Sequence, residues 1–93
     1  MKIVIPVKPE SNGLAASDFE KYPIPLPPCD FKEEEGGLII AFNSADEAVK
    51  YGLHLGDVHE RMKGNTDHRS ARKKIKLIIS CINEQVDFTA LDL

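Results

Sequence analysis

The sequence predicts an α+β fold, a small sheet packed on an antiparallel pair of helices, and three observations carry that expectation. Segments 2–7 and 38–42 have the apolar content of short strands. A helical periodicity runs over about 45–63, and a second one over about 67–86 follows a short Gly-Asn link. At 93 residues the chain suffices for one small domain, residues 1–93, and not for two.

In the first strand Ile3, Ile5 and Val7 alternate onto one face, and Pro6, which has no N–H to donate, places it at a sheet edge or ends it early. Residues 8–37 hold every proline except Pro6 and lack periodicity, so they read as a long Pro-rich irregular segment with one short helical turn around Ser17–Lys21. Within it, Pro23-Ile24-Pro25-Leu26-Pro27-Pro28 favours polyproline II. No Arg or Lys stands at the flanking position that ligands of aromatic grooves usually need, and a rigid arm packed on its own domain is expected. Leu38-Ile39-Ile40-Ala41-Phe42 reads as a second, more buried strand.

Ser44-Ala45-Asp46-Glu47 is a capping box: the Ser hydroxyl can accept the N–H of Glu47 while Glu47 reaches back to the N–H of Ser44. Beyond it Ala48, Tyr51, Leu55, Val58 and Met62 form one apolar stripe. Asp46–Lys50 and Asp57–Arg61 can pair at i,i+4, and Gly64 offers a left-handed terminus. Gly52 and Gly56 each cost about 1 kcal/mol against Ala inside a helix, but would let another backbone approach closely. Thr66 or Asp67 can cap the second helix, where Ala71, Ile75, Ile78, Ile79, Ile82 and Val86 keep helical spacing. Ile75, Leu77, Ile79 and Cys81 also alternate as in a strand, but the helical pattern is about three times the length of a typical strand. Leu77 and Cys81 lie off the isoleucine face, where they could meet a partner, and the tail 87–93 is expected to be loosely held.

The net charge of −3 conceals segregation. Residues 1–60 are net −6, residues 61–76 net +6 and the last 17 residues net −3. The basic block consists of Arg61, Lys63, Arg69, Arg72, Lys73, Lys74 and Lys76 against Asp67 alone. Arg69, Arg72, Lys73 and Lys76 fall at i, i+3, i+4 and i+7, one stripe along the second helix. Glu33-Glu34-Glu35 forms an acidic counterpart in the irregular segment. Such a block can attract phosphates or an acidic protein face, or be neutralised within its own fold.

Other chemistry finds little support. His54 and His59, at i and i+5, point about 140° apart on a helix, and His68 adds no evident third ligand, so no metal is expected. Cys29 and Cys81 stand 52 positions apart without a C-x-x-C motif and read as two reduced thiols. Ser80 and Cys81 sit within an apolar helical pattern with no base beside them, and no strand–Gly-rich turn–helix arrangement forms a phosphate loop. No catalytic residue and no cofactor are therefore assigned. Apolar runs of only a handful of residues exclude a membrane span, and the N-terminus lacks the pattern of a secretory signal, so a cytoplasmic protein is expected. A domain this small buries only about 60–65% of its unfolded surface, so oligomerisation or a partner would add stability.

Phe42 to Gly64 carries a further pattern: Ala48 precedes Gly52 by four, Val58 follows it by six, and Gly64 closes the segment. In these spacings it resembles small helix-turn-helix modules attached to some phage and homing nucleases, over 23 of the 93 residues. It departs from them at Leu55-Gly56-Asp57, where polar residues usually begin the reading helix. The resemblance implies a break in the first helix at Gly52, with His59, Arg61 and Lys63 turned toward DNA.

The expected function is that of a small non-enzymatic regulatory or inhibitory protein that docks onto another protein. Arg69, Arg72, Lys73, Lys76, Glu33, Glu34 and Glu35 would form the contact surfaces. The alternative is nucleic-acid binding through Arg61, Lys63, Arg69, Arg72, Lys73 and Lys76.

Overall fold

A computed structural model describes residues 2–6, 14–34, 37–64 and 68–86. Among them β1 (Lys2–Pro6), α1 (Asp18–Lys21), β2 (Phe31–Glu34), β3 (Gly37–Ala41), α2 (Ala45–Met62) and α3 (Arg69–Gln85) follow in order. The architecture is the α+β arrangement expected, and α3 is a helix rather than the competing strand.

The sheet is antiparallel in the order β1-β3-β2, so the most apolar strand lies in the centre and β1, with Pro6, at an edge. Ile3 pairs with Ile40 and Ile5 with Leu38, which puts four fully buried side chains on the face that meets the helices. The other face keeps Val4 exposed and Ile39 half-buried. One side-chain amide serves the outer edge of β1: Gln85 donates to the Val4 carbonyl at 2.6 Å and accepts the Val4 N–H at 2.9 Å. The end of α3 thus meets a strand edge that would otherwise present both groups for pairing.

β2 corrects the expectation of an irregular 8–37 segment. Phe31-Lys32-Glu33-Glu34 has weak strand propensity, and its strand state comes from backbone pairing to β3, with Phe31 opposite Ile40 and Glu33 opposite Leu38. Its charged side chains are exposed, a composition that discourages a further strand from adding there. The helical turn expected at Ser17–Lys21 is α1, and Phe19 packs at a tilt against Phe31 with ring centroids 4.9 Å apart. The proline arm packs on its own domain as expected. Ile24 is buried, and the Tyr51 hydroxyl donates to the Pro25 carbonyl at 2.6 Å.

α2 begins at its expected cap: Ser44 Oγ accepts the Glu47 N–H at 3.1 Å. Glu47 reaches back one residue further than the capping box predicts, to the Asn43 N–H at 3.1 Å. That backbone bond, with the Asn43 amide beside it, holds the Glu47 carboxyl below its ordinary range. Gly64 takes φ +84°, the left-handed conformation expected at the helix end. The break at Gly52 implied by the helix-turn-helix resemblance does not occur, because α2 runs unbroken through Gly52 and Gly56. Ala48, Tyr51, Leu55 and Met62 are buried beneath it and Val58 is half-buried.

α3 starts at Arg69, with His68 at the cap position and no side-chain cap bond. The caps expected at Thr66 or Asp67 fall outside the described residues, as do Val7 and the tail 87–93. Ala71, Ile75, Ile78 and Ile82 are buried against the sheet and α2, and α3 lies alongside β1. The partner-facing role considered for Leu77 and Cys81 is not realised: Cys81 is buried and Leu77 packs half-buried against the core. No disulfide joins Cys29 and Cys81.

Candidate docking surfaces

The basic block divides according to helix face. Lys74 falls on the inner side of α3, where its ammonium meets Asp18 Oδ2 at 3.0 Å, both side chains being about nine-tenths buried. The same carboxylate oxygen accepts the Ala15 N–H at 2.9 Å, and the Lys74 ammonium lies 5.6 Å from the Tyr22 ring centre. The pair therefore has the additional bonds that a buried charge requires. Sequence spacing could not identify it, since Asp18 and Lys74 are 56 positions apart. The available signal was that Lys74 falls between Ala71 and Ile78, toward the isoleucine face.

The remaining cations face outward. Arg69, Lys73 and Lys76 are exposed and Arg72 is half-buried. Its Nε is shielded from water and has no hydrogen-bond partner among the described residues, an unmet donor that costs free energy. Arg61 and Lys63, both exposed, lie at the end of α2. Lys63 pairs with Glu60 at 3.3 Å. Arg61, Arg69, Arg72, Lys73 and Lys76 make no ion pair among the described residues. The i,i+4 pairs expected at Asp46–Lys50 and Asp57–Arg61 are likewise not closed.

The acidic counterpart is partly absorbed by the fold. Glu33, on β2 rather than in a loop, accepts the Ala16 N–H. Glu34 pairs with Lys32 at 2.7 Å, and that hydrogen-bonded ammonium lowers the Glu34 carboxyl while the carboxylate raises Lys32. Glu35 lies outside the described residues. The two expected docking surfaces are therefore unequal, with the cationic one more available.

Burial and then the nearby Glu47 carboxylate push the Cys29 thiol up, which disfavours the nucleophilic thiolate. Among the described residues no three His, Cys, Asp or Glu side chains are grouped to hold a metal ion. No helix there is long and apolar enough to cross a membrane. Comparison with protein-family models, with curated proteins and with solved structures finds no match to this chain.

Proposed function

We propose that the protein is a non-enzymatic binding protein, regulatory or inhibitory in role, that docks through the outer face of α3 onto an acidic face of another protein. The observation that supports this reading is the stripe Arg69, Arg72, Lys73 and Lys76: four cations on one rigid helix, none ion-paired among the described residues. Charge held in place on a helix accelerates encounter with an oppositely charged surface and sets its orientation. A reducing, cytoplasmic compartment suits the two thiols. The second reading, nucleic-acid binding, draws on the same stripe extended by Arg61 and Lys63. The net charge of −3 weighs against the nucleic-acid reading, because nucleic-acid-binding domains are usually basic overall.

The test pairs the wild type with the double variant Arg72→Glu, Lys73→Glu. Each is used as bait for proteins in a cell extract, and each is titrated with labelled duplex and single-stranded DNA at about 50 and 200 mM salt. The proposal expects a protein retained by the wild type, lost with the variant, and no salt-sensitive DNA binding. DNA binding that collapses with salt and with the variant would establish the second reading instead. Retention of the same proteins by both baits would overturn the role of α3.

A further inference from the structure

The outer face of α2 has a shape that its own fold does not account for. Leu53 is 68% exposed, the most exposed large apolar side chain among the described residues. Beside it a groove of about 480 Å³ runs between α2 and α3, lined mainly by Val49, Gly52, Leu53, Gly56, Ile79 and Ile82. The glycines deepen the groove without an internal reason. A Cβ on Gly52 would meet Ile82 at an ordinary 3.6 Å, and one on Gly56 would meet nothing within 4 Å. Packing within the chain thus leaves room for a side chain at both positions, although glycine weakens a helix.

We infer that this groove is the contact face of a symmetric homodimer, in which α2 packs antiparallel against α2 of a second copy. The occupant is indicated by the register of the face itself. Asp46, Val49, Leu53, Gly56, Glu60 and Lys63 recur at alternating spacings of three and four, the seam spacing of paired helices. A two-fold axis midway between positions 53 and 56 sets 53 opposite 56, 49 opposite 60 and 46 opposite 63. Leu53 of one copy faces Gly56 of the other, an exposed knob over an open site. Val49 faces the aliphatic stem of Glu60. Asp46, exposed on the first turn, faces exposed Lys63 just beyond the last turn, which would exchange its pairing with Glu60 in its own chain for Asp46 of the mate. A two-fold axis repeats each of these contacts, as an isologous interface requires.

The ends of the helices fit the same arrangement. The first turn of α2 carries Asp46 and Glu47, and the last carries His59 and Arg61, followed by Lys63. Antiparallel packing therefore sets the acidic end of each helix beside the basic end of its mate, and the helix dipoles oppose favourably. Parallel packing would bring like ends together. The four cations of the proposed docking stripe are not used in this contact, so the inference does not rest on the proposed function.

Sedimentation equilibrium across a concentration series on the full chain tests the dimer. Wild-type protein is expected to show a monomer–dimer equilibrium, and Leu53→Lys to weaken it by at least about tenfold, the scale of a central interface anchor. Because Leu53 is exposed within the monomer, helix content and denaturant midpoint of dilute Leu53→Lys protein should match the wild type. Gly56→Leu should also weaken association by filling the site opposite Leu53. Asp46→Lys should weaken it further, and adding Lys63→Asp should restore it, since reversal of both charges recreates the pair. A wild-type chain that remains monomeric throughout the series overturns the inference. So does a dimer that is indifferent to Leu53→Lys, because its interface would lie elsewhere.

Discussion

At the residue scale the decisive group is Lys74, which the periodic reading assigns to the cationic block and the fold turns inward. Its ammonium depends on Asp18, so neutralising the carboxylate leaves a buried charge without compensation. Asp18→Asn retains an oxygen for the Ala15 N–H and is expected to cost about 3 kcal/mol in denaturant unfolding. Adding Lys74→Met removes the stranded charge, so the double variant should be more stable than Asp18→Asn alone. A double variant as unstable as the single would show that the two side chains are not coupled. Tyr51 gives a pH prediction. Burial, followed by the nearby Cys29, raises its phenol well above the ordinary value, and the hydroxyl donates to the Pro25 carbonyl. The folded state therefore holds this proton more tightly than the unfolded chain. Its contribution is fully present below the unfolded value and declines as pH rises past about 10. Unfolding midpoints should fall with pH in that alkaline window, and more weakly in Tyr51→Phe.

At the element scale, α2 combines a strong start with a weak interior. Ser44→Ala removes the hydroxyl that accepts the Glu47 N–H and should cost about 1 kcal/mol. Gly56→Ala should act in the opposite sense, stabilising dilute protein by up to about 1 kcal/mol, because its Cβ would meet nothing. Thermal or urea unfolding of the two variants checks both signs, and a destabilising Gly56→Ala would reveal a close contact that the free chain does not make. β2 illustrates the opposite dependence. Its residues have little intrinsic preference for a strand, and they adopt one because β3 offers an unpaired edge in register. The two long helices were legible because each carries an apolar stripe over more than four turns, whereas β2 has four residues and one apolar side chain.

At the scale of the whole molecule, charge is separated between surfaces rather than cancelled. Four acidic side chains have internal tasks: Asp18 holds Lys74, Glu33 holds Ala16, Glu34 pairs with Lys32, and Glu47 caps α2. The outer cations of α3 have no such assignments among the described residues. Reversing two of the exposed ones, Lys73 and Lys76, should therefore leave stability within about 0.5 kcal/mol of the wild type, as is usual for surface substitutions. Equal unfolding midpoints for the wild type and the Lys73→Glu, Lys76→Glu variant would support a stripe with no structural duty. A large loss would instead place those residues in the fold.

The sequence alone determined the α+β class, the first long helix, the edge position of β1, the Ser44 cap and the left-handed Gly64, and for the second helix it favoured a helix over a strand. Each follows from local signals: periodicity, a missing N–H, a hydroxyl three residues from its donor, or the freedom of a glycine backbone. Folding of the whole chain was needed to make residues 31–34 a strand, to set Lys74 inside with Asp18, and to occupy Glu33 and Glu34 with their own chain. These outcomes depend on which distant segments meet, and the energy of a pairing across 56 positions is absent from either segment read by itself.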